Sequence, residues 1–194
     1  MRKIIVSTYM TLDGVIQPLD WSLSSQDPAS AEERGKYAHD LLFEADALLL
    51  GRETYQIFAE VWPTRTAADD DPGAAGVTDR INSMQKYVVS TTLSEPLSWN
   101  ASLIKGDVPQ EVAKLKEQPG QNIVIYGCGQ LARTLLEHNL VDEFRFWVFP
   151  AVRGRGTRLF EDGVNADLEL VETKVFGGGF VVLTCRPKGA DHPV

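Results

Sequence analysis

The sequence predicts an α/β domain organised around a parallel crossover and finished by an antiparallel hairpin. Three observations carry this. First, Ile123-Val124-Ile125-Tyr126 is a β-branched, apolar run that turns through Gly127-Cys128-Gly129. Second, Leu131, Leu135 and Leu136 then share one helical face, Arg133 and Glu137 point away, Asn139 stops the helix, and Phe144 to Phe149 returns as a second strand. Strand, helix, strand is a βαβ unit, so its two strands run parallel in one sheet. Third, Gly177-Gly178-Gly179 joins two strand-like runs, Leu168 to Phe176 and Phe180 to Arg186, as a hairpin.

The other elements follow in order. Lys3 to Tyr9 is the first strand. Met10 to Trp21 is a loop with Asp13-Gly14 as its turn. Trp21 needs a surface there: it either covers a bound planar ligand or roofs the core. Ser30 and Glu33 have capping-box spacing for a helix over Ala31 to Glu44, with Tyr37, Leu41 and Leu42 as its stripe. Ala45 to Leu50 is an apolar strand running into Gly51-Arg52-Glu53-Thr54-Tyr55. The helix that begins there reaches Glu60, and Pro63 ends it. Thr64 to Gly76, with Asp69-Asp70-Asp71, reads as a solvated loop. Val77 to Met84 is a short helix and Lys86 to Ser90 a strand. Ser102 to Lys105 is a brief strand, and Asp107 caps a helix from Pro109 to Gln118. Residues 1–187 form one domain, and 188–194 a flexible tail.

Composition narrows the function. The chain has 194 residues, 43% of them hydrophobic, which allows a sizeable core. Its net charge of −8 argues against a nucleic-acid or anionic-membrane surface, so an anionic ligand needs local cations. Cys128 and Cys185 lie far apart and form no metal-type pair, which suits a reduced, cytoplasmic setting. Met1 to Val6 reads as a first strand and not as a signal peptide. No apolar stretch is long enough to cross a bilayer.

Three strand ends then form a pattern. Gly51-Arg52-x-Thr54, Ser90-Thr91-Thr92 and Gly127-Cys128-Gly129-Gln130-Leu131 each follow a buried strand, and in a parallel sheet such ends share one edge. Unpaired amides at a helix start, beside glycine, accept a phosphate; alternatively the glycines only tighten the corner. Arg52 offers bidentate phosphate recognition or is a surface arginine. The set suits a dinucleotide better than a metal or a sugar. Arg153, Arg155 and Arg158 meet a substrate phosphate or form a solvated loop. Cys128 reads as a small residue in a tight turn, since no histidine near it in sequence could activate the thiol.

The blocks Leu12-Asp13-Gly14, Leu50-Gly51-Arg52-x-Thr54-Tyr55, Lys86-x-Val88-x-Ser90-x-Thr92-Leu93, Tyr126 through Leu140-Val141-Asp142-Glu143 to Pro150, and Gly154-x-Gly156 before Leu159-Phe160 appear in a telling order. Through them the chain, from Lys3 to Arg186, resembles the dihydrofolate reductase-like superfamily. It is similar specifically to stand-alone relatives of the reductase domain of bacterial riboflavin biosynthesis, the RibD C-terminal domain. The resemblance implies a three-layer α/β fold, with a central mixed, mostly parallel sheet flanked by helices, and NADPH as hydride donor. It implies that Gly51, Arg52 and Thr54 hold the adenosine-side phosphates, that Ser90 and Thr91 border the adenine ribose, and that Gly127, Cys128, Gly129, Gln130 and Leu131 take the pyrophosphate. Ser7, Asp13, Gly14 and Val15 would line the nicotinamide and substrate side. Asp13 and Trp21 are the catalytic candidates there, and Tyr55 and Trp62 wall the pocket. No metal is expected.

Two departures stand out. Cys128 separates Gly127 from Gly129 where many relatives have adjacent glycines. The acid that folate reductases carry on the first helix has only Glu32, Glu33, Asp40 and Glu44 as candidates here. No His-x-Glu or Cys-x-x-Cys is present, so a zinc deaminase activity is not expected. The expected function is an NADPH-dependent reductase of a small heteroaromatic or carbonyl substrate. The alternative is a non-catalytic nucleotide- or drug-binding protein on the same scaffold. A homodimer is expected from the family, and from the aromatic surplus of Phe144, Phe146, Trp147 and Phe149.

Overall fold

The computed structural model describes residues 1–18, 30–127, 129–160, 163–177 and 179–188. Trp21 and Cys128 lie outside them. The chain forms ten strands among the described residues: β1 (Ile4–Thr11), β2 (Val15–Gln17), β3 (Ala45–Gly51), β4 (Gln85–Val89), β5 (Ala101–Ile104), β6 (Asn122–Tyr126), β7 (Glu143–Phe149), β8 (Thr157–Arg158), β9 (Leu168–Val175) and β10 (Val181–Pro187). The helices are α1 (Ala31–Phe43), α2 (Arg52–Val61), α3 (Val77–Ser83), α4 (Val108–Glu117) and α5 (Gly129–Glu137).

Eight strands make the main sheet in the order β5-β4-β3-β6-β1-β7-β10-β9. Every pairing from β5 to β7 is parallel; β10 pairs antiparallel with both β7 and β9. The β6–α5–β7 crossover spans β1, which lies between the two strands. This is the mixed, mostly parallel sheet with a C-terminal hairpin that the sequence predicts.

Strand alternation sorts the core into two layers. Ile4 and Val6 face α4 and α5, where Val112, Leu115, Ala132 and Leu135 close one core. Ile5 faces α1, α2 and α3, with Leu41, Leu42, Leu48, Leu50, Tyr55 and Ile81. β7 is buried on both sides. Phe144 and Phe146 fill the first layer, whereas Trp147 and Phe149 stack with Phe176 and Phe180 on the second. The aromatic surplus expected to drive pairing is therefore consumed inside the chain. Exposed apolar residues include Leu170, Val171 and Val175 on edge strand β9, besides others such as Leu12, Ile57 and Val152.

Other differences have local causes. β1 runs to Thr11 because Thr8 to Thr11 keep pairing with Phe146 to Phe149. Part of the expected Met10–Trp21 loop is strand β2, which pairs antiparallel with β8. Ser30 builds no capping box: its backbone is already helical (φ −99°, ψ 0°) and its side chain makes no cap hydrogen bond. The acidic run is structural. Asp69 closes a capping box with Thr66, and the Asp70 carboxylate accepts from the Gly76 and Thr78 amides (2.7 and 2.9 Å), satisfying amides at the start of α3. Asp107 caps α4 as expected, accepting from the Gln110 amide at 3.0 Å.

Candidate functional site

The carboxyl ends of β3, β4 and β6 form one rim, and hydrogen bonds join them. Gly51 is extended (φ −73°, ψ 161°) and ends β3 directly at the first turn of α2. Arg52 therefore projects from that turn: its guanidinium donates to Thr92 Oγ1 at 3.3 Å and lies 3.6 Å from Glu53. Ser90, at the end of β4, is buried, and its Oγ accepts from the Thr92 and Leu93 amides, both at 3.1 Å. Ser90 thus folds the turn that presents Thr92 to Arg52; Thr91 is exposed beside it.

Thr54, one residue pair along α2, donates from Oγ1 to the Gly127 carbonyl at 3.1 Å. Gly127 has φ +59°, and a Cβ there would sit 2.4 Å from Thr54 Oγ1, so only glycine fits. Gly129 opens α5, and a Cβ on it would meet nothing closer than Ile16 Cδ1 at 4.0 Å. The first amides of α5, at Gly129, Gln130 and Leu131, belong to a nine-residue helix and so carry the partial positive charge of its N-terminus. Arg52, Ser90 and Gly129 are brought to one rim.

The β2–β8 strip faces this rim. Between it and α2 lies an open cleft of about 780 Å³, lined by Gln17, Pro18, Glu53, Gln56, Ile57, Gly156 and Thr157. Asp13 anchors the strip. Its carboxylate accepts from Thr11 Oγ1 (2.6 Å), the Gly154 amide (2.7 Å) and the Arg153 amide (3.2 Å). The Thr11 and Gly154 donors hold its pKa down to about 2, so the group is ionised near neutrality and fastens the 152–154 loop to the β1–β2 turn. This geometry gives Asp13 the work of a clamp and not of a proton donor. Gly14 carries φ +79° at that turn, and Val15 is fully buried. Arg153 and Arg155 are exposed on the same loop, and Arg158 is exposed on β8.

A second surface opens on the α1–α2 side of the sheet. Ser7 is buried there and its Oγ accepts from Trp147 Nε1 at 3.2 Å. Ser7 pairs in register with Tyr126, and Tyr9 with Trp147. Tyr37 of α1 meets Trp147 edge-on at 5.3 Å, and Phe58 of α2 lies 6.1 Å from Tyr126. Tyr55 goes elsewhere: it is buried in the core beneath α2, with its hydroxyl 3.1 Å from the Ser98 carbonyl. Phe58, not Tyr55, is the α2 aromatic beside Tyr126. Trp62 is half-buried between Phe58 (6.0 Å) and the Arg65 guanidinium (4.8 Å). Of the acids on α1, Glu33 pairs with Lys174 (3.3 Å), Asp40 with Lys36 (3.1 Å) and Glu44 with Arg145 (3.8 Å), while Glu32 is exposed.

The residues that sequence reasoning missed are Tyr9, Tyr126, Tyr37 and Phe58. Strand alternation was a usable signal for the first two, since Ser7 and Tyr9 sit two apart on β1 and so share a face.

Comparison with known proteins places this rim in a family. The model of the RibD C-terminal domain matches residues 2–182. The chain belongs to the RibD C-terminal domain family. Within it, a relative spanning nearly the whole chain is Bacillus subtilis (strain 168) YyaP, described as an uncharacterized protein. It is 32% identical over 193 residues, 97% of this chain and 96% of YyaP. A solved structure from Shewanella sp. PV-4, named for riboflavin biosynthesis, superposes with a TM-score of 0.73 at 24% identity, covering 96% of this chain and 99% of that one. The Thermotoga maritima diaminohydroxyphosphoribosylaminopyrimidine deaminase/5-amino-6-(5-phosphoribosylamino)uracil reductase superposes with a TM-score of 0.63 at 17% identity, covering 96% of this chain and 56% of that one. The family scaffold is reductase-like, and among the described residues no helix is long and apolar enough to cross a membrane.

Proposed function

We propose that this protein is an NADPH-dependent reductase of a small planar heteroaromatic or carbonyl-type substrate. The observation that carries the reading is the hydrogen-bonded rim: Arg52 to Thr92 and Thr54 to Gly127 join three strand ends beside the open N-terminus of α5. A Cβ-free corner at Gly127, a positive helix end and one guanidinium fit a pyrophosphate-bearing dinucleotide.

In this reading Arg52 and Thr92 receive the adenosine-side phosphate, and Ser90 and Thr91 border the ribose. The amides of Gly129, Gln130 and Leu131 take the pyrophosphate, with Gly51 and Thr54 shaping the approach. Gly14 and Val15 hold the nicotinamide side. The bound nicotinamide supplies a hydride. The chain itself supplies orientation and a dry surface over Ser7 and Trp147. The substrate class follows the Thermotoga relative, whose name specifies a uracil derivative.

The setting is cytoplasmic, with Cys185 a buried free thiol. Pairing of two copies through the edge of β9 would cover Leu170, Val171 and Val175. The test of the main reading is titration of the protein with NADPH and NADH, followed by nucleotide fluorescence. An enhancement that saturates supports a cofactor site, and oxidation of NADPH by a uracil or pteridine substrate separates a reductase from a silent binder. No binding of either nucleotide at about 1 mM, an affinity worth only ~4 kcal/mol, ends the proposal.

A further inference from the structure

The floor between α1 and α2 holds two phenols that the fold does not use. Tyr126 ends β6 and Tyr9 lies on the neighbouring strand β1, two residues beyond Ser7, the register partner of Tyr126. Both side chains therefore leave the same face of adjacent strands, within reach of one ligand. Their rings are fixed. Tyr9 packs edge-on against Trp147 (5.3 Å) and Phe149 (5.4 Å), and Tyr126 lies 6.1 Å from Phe58. Their hydroxyls are not: among the described residues neither phenol oxygen makes a hydrogen bond. Tyr9 is 42% exposed although its ring lies in an aromatic cluster.

Burial raises both phenol pKa values; Tyr9 raises that of Tyr126 further, while Arg34 works against the rise at Tyr9 and Arg145 at Tyr126. Both groups thus stay protonated, as donors, at physiological pH. The contrast with the neighbouring hydroxyls is informative. Ser7 is tied to Trp147 and Tyr55 to Ser98, so fold-supporting hydroxyls here have partners. A hydroxyl serves packing no better than a hydrogen, and a phenol on an accessible face with no protein partner keeps its donor for solvent or a ligand.

We propose that Tyr9 and Tyr126 form a two-donor floor that recognises the acceptor atoms of a planar, carbonyl-bearing heterocycle, with the ring held edgewise between Tyr37 and Phe58. The inference deepens the reductase reading and rests on it for the identity of the cleft. It assigns discrimination to the two phenols: a ring without acceptors on that edge leaves two donors unpaired, at a cost that selects against it.

The test uses Tyr9→Phe, Tyr126→Phe and the double variant, which keep every ring contact and remove only the hydroxyls. Each is saturated with NADP⁺, so that nothing turns over, and titrated calorimetrically with 5-aminouracil as probe. Each single change is expected to weaken the probe about fivefold, the worth of one ordinary hydrogen bond, with NADP⁺ affinity unchanged. Probe affinities within twofold of wild type in all three variants overturn the proposal, as does a wild-type protein that leaves 5-aminouracil unbound at about 10 mM. Loss of NADP⁺ binding in the wild type instead removes the reductase reading. A probe that still depends on the phenols would then leave the donor floor standing without it.

Discussion

Arg52→Ala is the most direct perturbation of the proposed cofactor rim. The guanidinium sits on the first turn of α2, nearly half exposed (46%), with Thr92 and Glu53 as its partners. Neither contact contributes much to folding, because exposed pairs of this kind are worth roughly 0–1 kcal/mol. Toward a phosphate the same group makes charge-assisted hydrogen bonds worth about 1.5–3 kcal/mol, and partial exposure favours the lower end. At about 1.4 kcal/mol per factor of ten, the NADPH Kd should rise roughly 10- to 30-fold. Arg52→Lys should recover only part of the loss, since a single ammonium cannot reproduce the planar fork. The assay is nucleotide fluorescence at two ionic strengths, with a thermal melt as control. The melt should barely move, and the salt dependence of NADPH binding should become shallower in Arg52→Ala. An NADPH Kd within twofold of wild type, with the melt intact, would refute phosphate recognition by Arg52.

Further changes test the rest of the structure. Gly127→Ala puts a methyl 2.4 Å from Thr54 Oγ1 at φ +59°, so it should weaken NADPH binding and cost about 1–3 kcal/mol in chemical denaturation; adding Thr54→Ala, which removes the clashing oxygen, should not fully restore it, because the backbone strain stays. Asp13→Asn should flatten the acid limb of the stability profile. The lowered folded pKa means that this clamp contributes stability above the ordinary carboxylate range and loses it as pH falls toward 2, which stepwise acid unfolding of the two proteins would compare. Asp142→Ala leaves Lys116 buried without the carboxylate 2.6 Å away and should cost roughly 3–5 kcal/mol in urea unfolding. Lys86 is fully buried and its pKa is pulled down by burial to about 8, so between pH 8 and 10 the unfolded chain binds the extra proton; wild-type stability should rise with pH relative to Lys86→Met, by up to about 3 kcal/mol.

The parts of the fold readable in the sequence are those where one pattern decides the outcome. β6, α5 and β7 combine apolar period, glycine turn and helix stop, and the structure follows each. The rim was readable for the same reason: parallel strands put their carboxyl ends together, whatever their sequence separation. Some of the rest depended on partners far along the chain: nothing near Val15 announces that it pairs with Arg158. Elsewhere the partners are near but the pattern hides them, as where Asp70, in a run that reads as solvated, accepts from the Gly76 and Thr78 amides only six and eight residues on. Ser30 has the right spacing for a capping box, yet its backbone is already helical at the position where a cap must be extended.

The misplaced site residues share one physical cause. A polar or aromatic residue in a motif has a side-chain direction that spacing leaves open by half a turn or one strand residue. Tyr55 and Phe58 both lie on α2, three apart, and either could line a pocket by composition. Tyr55 is drawn beneath the helix because Ser98 offers its hydroxyl an acceptor there, and this leaves Phe58 to face Tyr126. Asp13 is likewise taken by Thr11, two residues before it, and by Gly154, 141 residues further along the chain. Hydrogen-bond partners thus divide this region into groups that hold the fold and groups left over for a ligand. The leftover set is the amides of α5 at the rim and the phenols of Tyr9 and Tyr126 on the floor, while Arg52 is held only by exposed contacts to Thr92 and Glu53. That division can be tested directly. Phe at Tyr55 should cost stability, about 1 kcal/mol for a lost buried hydrogen bond, while Phe at Tyr126 should leave the denaturation midpoint unchanged. If Tyr126→Phe destabilises the chain as much as Tyr55→Phe does, the phenol at the floor belongs to the fold and is not available to a substrate.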